Sequence, residues 1–192
     1  MSPDLIPPAV PHPAALVRDF VNTLDHELGT DELATPSGLT AFLMSQDLLD
    51  AGRADEEQLA RAVALRSGLH QALGLNHAGG PASLVALDDV LAHLRVRLRW
   101  TADGVVAAPA EDGVAGALAR IGLAALDARS SEVWWRLKIC AFDECEWAYY
   151  DHSKNRSRHY CEYGCGNKLK TRAYRARRRA GSASTSLKVM NG

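Results

Sequence analysis

Four cysteines, all inside one short stretch, constrain this chain more than any other feature. Cys140 and Cys145 enclose four residues, Cys161 and Cys165 enclose three, and fifteen residues separate the two pairs. This is the layout of a structural zinc site, two knuckles held apart by a loop. Zn²⁺ takes four ligands tetrahedrally, and four thiolates close the shell with no position left for chemistry. A redox pair would show a two-residue gap and a thioredoxin-like βαβ context, and neither is present. The segment 140–170 is too small to bury an adequate core, so metal binding supplies much of its folding free energy. Four thiolates on Zn²⁺ leave a formal charge of about −2. Lys154, Arg156, Arg158 and Lys168 stand within a few residues of a cysteine and offset it. His152 and His159 lie between the knuckles and are read as surface residues, because four cysteines complete the shell. Phe142, Trp147, Tyr149, Tyr150 and Tyr160 are read as a cover over one side of the module.

The 192 residues suffice for one ordinary domain and a small appendage, and 47% hydrophobic content supports a core. The opening MSPDLIPPAVPHP has neither the basic start nor the apolar run of a signal peptide. No apolar stretch approaches the roughly 18 residues of a membrane span. The expectation is a soluble cytoplasmic protein without membrane contact. In that compartment disulfides are rare and clustered cysteines are better read as metal ligands.

Net charge is −1, but the charges are segregated: residues 1–151 sum to −11 and residues 152–192 to +10. A basic C-terminus of this kind is an electrostatic footprint for an anionic partner.

Hydrophobic periodicity predicts a mainly α fold with one small β-hairpin: a helical N-terminal domain over 14–130, then a zinc knuckle module with a basic helix over 136–180. After a Pro-rich start, Leu16, Phe20, Val21 and Leu24 share a helical face. A loop runs from Gly29 to Thr35. Ser37 is read as the cap of a helix carrying Leu39, Phe42, Leu43 and Leu48, and Asp55 as the cap of a third. Gly79-Gly80-Pro81 breaks the chain before a fourth helix from Ser83 to about Arg95. Val96, Leu98 and Trp100 alternate with Arg97, Arg99 and Thr101. With turn chemistry at Asp103-Gly104 this predicts a hairpin across 95–108. A helix over 111–128 follows, and Ser130-Ser131 ends it. Trp134 and Trp135 are placed at the junction of the two parts. Asp19, Asp25 and His26 hint at a metal or acid/base site but, with no second cluster to join them, are assigned to the surface.

Beyond Cys165, Gly166 is read as a tight turn and Asn167 as the cap of a helix. Lys168 to Ala180 contains no acid, proline or glycine. Leu169, Ala173, Ala176 and Ala180 make a narrow apolar face. Lys168, Arg172, Arg175 and Arg179 make a basic one, flanked by Lys170, Arg177 and Arg178. Locked to a zinc module, such a helix suits nucleic acid. The candidate contacts are Lys154, Arg156, Arg158, Asn167, Lys168, Lys170, Arg172, Arg175 and Arg179. The stretch Gly181 to Ser186 reads as a disordered tail.

These residues resemble a known family. Cys140-Ala-Phe-Asp-Glu-Cys145, then Asp151, Ser153, Asn155, Ser157 and Arg158, then Cys161 and Cys165-Gly166-Asn167-Lys168, are similar to the CGNR zinc finger. The segment Asp19-Phe20-Val21-Asn22-Thr23 resembles the start of the ABATE domain that precedes this finger. Two departures stand out: the motif's final Arg is Lys168, and three residues rather than the family's expected four separate Cys161 and Cys165. The resemblance implies a helical N-terminal domain, structural Zn²⁺ on the four cysteines, and a bacterial, stress-linked transcription regulator whose C-terminus binds DNA.

An acidic helical domain in a regulator senses a small-molecule effector or supports a homodimer. Asn22 and Thr23, polar among apolar neighbours, are the candidate ligand-binding residues, against a local structural role. The competing reading of the whole chain is a zinc-stapled RNA- or protein-interaction module without sequence-specific DNA binding. No nucleophile–base pair, phosphate loop or open metal shell appears, so the chain is not read as an enzyme.

Overall fold

The structure, a computed structural model, describes residues 10–78 and 84–189. The predicted break at Gly79-Gly80-Pro81 and the predicted helix start at Ser83 lie outside them.

The first helix, α1 (His12–Val21), has Pro13 in its first turn, where a missing N–H costs nothing, and buries Ala14, Leu16, Val17, Phe20 and Val21. The helix stops at Val21, short of the predicted Leu24: Leu24–Asp25 (β1) instead pairs antiparallel with Thr30–Asp31 (β2), within the expected loop. Helix α2 (Pro36–Ser45) is capped by Thr35 and not by Ser37: Thr35 is extended and its Oγ1 accepts from the Gly38 amide at 3.1 Å. Pro36 explains the shift, because its fixed φ favours the first helical position and moves the cap one residue earlier. Leu48 lies beyond this helix yet is buried in the core. Helix α3 (Glu56–Ala78) begins at the expected cap. Asp55 accepts from the Gln58 amide at 2.7 Å, while Gln58 Oε1 accepts from the Asp55 amide at 3.1 Å, a reciprocal capping box.

Helix α4 (Val85–Ala92) leads to the hairpin β3 (Val96–Thr101) and β4 (Gly104–Pro109), in register from Val96↔Pro109 to Thr101↔Gly104. Leu98 and Trp100 stay exposed on it. Helix α5 (Gly113–Ser130) packs along α1 and closes the core around the fully buried Leu65, Leu73 and Ile121. A single 3₁₀ turn, Trp134–Arg136, then feeds β5 (Leu137–Ile139), which pairs antiparallel with β6 (Ala148–Tyr150). Trp134 is buried, as expected of a junction residue. Trp135 is not: it is exposed and carries the Arg129 guanidinium 4.4 Å from its ring centroid.

The two expected parts share one core. Leu137, Ile139 and Ala148 of the β5–β6 hairpin belong to the same apolar core as α1, α3 and α5. A second, smaller cluster contains the four cysteines with Phe142 and Tyr149, flanked by Trp147, Tyr160 and Leu169. Of the five predicted covering aromatics, Tyr150 alone turns the other way and packs on the large core. The last helix, α6 (Cys165–Val189), runs through Gly181–Ser186, so the stretch read as a disordered tail is helical. Its alanines and serines tolerate the helix, and one glycine costs only about 1 kcal/mol. Among the described residues no helix is long and apolar enough to cross a membrane.

Candidate metal centre and basic helix

Each cysteine is delivered by a different piece of local structure. Cys140 follows β5, and its amide donates to Trp147 O at 2.8 Å. Cys145 closes the first knuckle through its amide to Phe142 O at 2.9 Å. Cys161 ends the long loop, and Cys165 is the first residue of α6.

The helix therefore starts earlier than the expected Asn167 cap. Gly164, at φ +79°, makes the turn, and its carbonyl accepts from the amides of Asn167 at 2.9 Å and Lys168 at 3.0 Å. Gly166 serves closeness instead of turning, since a Cβ there would sit 3.2 Å from the Tyr160 ring. The three-residue second knuckle thus accommodates one glycine turn and then helix directly.

All four sulfurs are buried and lie within 4.8 Å of one another. Cys145 Sγ is 3.8 Å from Cys161 Sγ, and Cys161 Sγ is 3.6 Å from Cys165 Sγ. These separations exceed a disulfide's ~2.05 Å. They match the roughly 3.8 Å edge of a tetrahedron with Zn–S arms of about 2.3 Å. Burial pushes the Cys145 thiol up to about 12 and the Cys161 thiol up as well. Such thiols become thiolates only when a cation compensates them. Donor set, spacing and burial all fit Zn²⁺. Cys140, Cys145, Cys161 and Cys165 form a structural zinc site, held at the positive end of the α6 dipole where thiolate charge is favoured.

Between the knuckles, the loop is organised by a buried pair that the sequence did not single out. Lys138 sits between two apolar strand residues, and no periodicity marks it. Its Nζ donates to Asp151 Oδ2 at 2.9 Å, and both side chains are almost fully buried. Lys138 also donates to the carbonyls of Arg156 and, at 3.3 Å, Arg158. Asp151 further accepts from the amides of Ser153 and Arg158, each at 2.9 Å. Burial alone would raise the Asp151 carboxyl, but the hydrogen bonds from Ser153, Lys138 and Arg158 prevail and hold it at about 2. Ser153 Oγ accepts from the Ser157 amide at 3.0 Å, and Arg156 adopts a left-handed φ of 52°. The Asp-x-Ser-x-Asn-x-Ser-Arg stretch is thus a self-bonded loop clamped on a buried ammonium.

The candidate nucleic-acid residues divide into two groups. Lys154, Arg156 and Arg158 lie on this loop, where Arg156 pairs with Glu132 at 3.3 Å and Arg158 with Glu162 at 3.7 Å. Arg158 also lies over the Tyr149 ring at 5.6 Å. Asn167, Lys168, Lys170, Arg172 and Arg175 lie in the exposed opening turns of α6. Arg179 is on the same helix, with its side chain outside the described residues. Lys168 pairs with Glu27 of the β1–β2 turn, and Arg172 with Glu144 at 2.6 Å. A groove of about 590 Å³ runs here, lined by Glu27, Glu144, Asn167, Lys168, Arg172 and Arg175 among others.

Asn22 and Thr23 are placed elsewhere, and their polar groups are used inside the fold. The Asn22 amide donates to Ala148 O and its Oδ1 accepts from the Ala148 amide. Thr23 is buried; its hydroxyl donates to Phe20 O at 2.8 Å and accepts from Arg66 at 3.1 Å. Asn22 thus joins the end of α1 to β6 of the finger, and Thr23 joins it to Arg66 of α3.

Comparison with known proteins agrees with this anatomy. Residues 136–178 match the family model of the CGNR zinc finger. Residues 14–132 match the ABATE model, whose description reads "Putative stress-induced transcription regulator". No curated relative matches the chain. Neither matched family is an enzyme family. With the two matches in the order that the resemblance implies, the chain belongs to the ABATE family and carries a CGNR zinc finger at its C-terminal end.

Proposed function

We propose that this protein is a zinc-dependent, DNA-binding transcriptional regulator whose C-terminal helix contacts the phosphate backbone. The observation that carries this reading is the start of α6 at a zinc ligand: Cys165 is its first residue, and the exposed basic residues Lys168, Lys170, Arg172 and Arg175 follow within the next turns. Tying the helix to the metal centre fixes its direction relative to the rest of the molecule, which an untethered basic tail lacks. Lys154, Arg156 and Arg158 on the loop between the knuckles are the further candidate phosphate contacts.

On α6, Lys168 and Arg172 already have acidic partners, Glu27 and Glu144. Exposed pairs of this kind are worth about 0–1 kcal/mol each, so a phosphate exchanges for them at little cost. The pairs set a threshold for binding without blocking it. The N-terminal domain bears one of these acids, and we assign it the regulatory role, through an effector or a second copy of the chain. Function in the cytoplasm, on the nucleoid, follows from this reading.

The test is duplex binding by fluorescence anisotropy across a salt series, on the zinc-loaded full chain. Each phosphate contact contributes roughly −0.9 to the slope of log K against log salt. Replacing Arg172 and Arg175 by Gln should make that slope shallower by about two contacts. Zinc-loaded protein that ignores duplex DNA at low salt, yet retains RNA, would move the assignment to an RNA-interaction module.

A further inference from the structure

The sequence leaves His26 as an isolated surface histidine. The fold gives it company. His26 lies in the β1–β2 turn, His70 on α3, and Glu146 directly after the first knuckle. His26 Nε2 is 3.5 Å from Glu146 Oε2, and His70 Nε2 is 3.8 Å from the same oxygen. The two imidazole rings lie 6.1 Å apart by their centroids. One ligand atom from each of the three residues falls within 4.8 Å of the others.

We infer that His26, His70 and Glu146 form a second metal site, distinct from the four cysteines, for a divalent cation of the Zn²⁺ type. Two imidazoles and one carboxylate suit the borderline-soft first-row cations, which bind N and O donors at about 2.0–2.2 Å. Ligand atoms on a tetrahedron of that size are roughly 3.4 Å apart, so the observed spacings need only a small inward rotation of each side chain. Calcium and magnesium, which prefer all-oxygen shells, are poorly served. Three protein ligands leave further coordination positions for solvent. The site is half-exposed, so a cation reaches it without unfolding.

Backbone conformation supports the same conclusion. Glu146 adopts a left-handed φ of 48°, unusual for a residue with a side chain, and its Oε2 faces both histidines. His70 Nε2 also lies 3.1 Å from its carbonyl oxygen, a contact that a cation bound at Nε2 would replace.

Three separate stretches of chain meet here, two from the N-terminal domain and one from the finger. A cation bound between them ties the finger to that domain. His26 also adjoins Glu27, the acid paired with Lys168, so occupancy fixes the residue that competes with phosphate for the basic helix.

The experiment uses the untagged full chain with zinc as the probe. Equilibrium dialysis against micromolar zinc, followed by elemental analysis, should give about two zinc per chain in the wild type and about one in His26→Gln, the one left on the cysteines. His26 is exposed in a turn, so this variant keeps the fold. A readout on the wild type guards against misfolding: imidazole NMR resonances of His26 and His70 should shift together as the second equivalent is added, after the first has been taken up. A stoichiometry of one in the wild type overturns the site. So does a second equivalent that persists in His26→Gln or leaves both rings unshifted.

Discussion

Asn22 and Ala148 exchange two hydrogen bonds: the Asn22 side chain donates to the Ala148 carbonyl at 2.8 Å and accepts from the Ala148 amide at 2.7 Å. The residues are 126 positions apart, and the carboxamide stands in for the neighbour that β6 lacks on its outer edge. A side chain at the end of α1 thereby fastens the finger's hairpin to the helical domain.

Removing that fastening leaves a buried backbone amide and carbonyl without partners. Asn22→Ala should lower stability by about 1–3 kcal/mol in urea unfolding. Its zinc content should stay unchanged, because no sulfur ligand moves. Full stability in this variant would show that water replaces the amide.

Lys138 is the second long-range dependency. Its ammonium is shared by the Asp151 carboxylate and the carbonyls of Arg156 and Arg158. Lys138→Met retains the stem and removes the charge, stranding a buried carboxylate at a cost of about 3–5 kcal/mol. The loop between the knuckles should then become the first site of proteolytic cleavage, which mass spectrometry of limited digests would locate.

Zinc uptake should release protons. Burial raises the Cys145 thiol to about 12 and raises that of Cys161, so without metal both are neutral near pH 7 and must deprotonate to bind. Titrating zinc into the metal-free chain in weak buffer should release at least about two protons per metal, and the apparent affinity should fall as pH is lowered. Cys161→Ser should lose the high-affinity equivalent altogether.

Asp31 offers a stability test in acid. Its carboxylate accepts from the buried Arg66 guanidinium at 2.5 and 2.9 Å, and that hydrogen bonding holds its pKa below the ordinary 3.8. A depressed carboxyl contributes stability above its unfolded pKa and loses it as pH falls through the folded one. Asp31→Asn should therefore be less stable than wild type at pH 7, by about 1–3 kcal/mol given the partial exposure of the pair. The gap should narrow below about pH 4. Taking the difference between the two proteins cancels acid release of zinc, which affects both.

Glu27 and Glu144 compete with phosphate for Lys168 and Arg172. If α6 binds DNA, Glu27→Gln with Glu144→Gln should tighten duplex binding several-fold at low salt, with the advantage shrinking as salt screens the exposed charges. Equal affinity of variant and wild type would remove these acids from the account.

Local chemistry was legible from the sequence by itself. Cysteine spacing named the zinc ligands, Asp55 named a helix cap, alternation at Val96–Thr101 named a strand, and the absence of acid beyond Cys165 named the basic helix. Each signal lies within a few residues because turns, caps and chelating pairs are short-range structures. Where a nearby residue changed the local balance, the reading slipped: Pro36 moved a cap to Thr35, and Gly164 started α6 at Cys165. Only the tertiary structure decided what lies far apart along the chain. It gave Asn22 to Ala148, set Lys138 beside Asp151, and brought His26, His70 and Glu146 to one point. The physical reason is that these partners are selected by how α1, α3 and the β5–β6 hairpin pack on one core. A polar side chain's hydrogen bonds carry no periodicity from which that packing can be read.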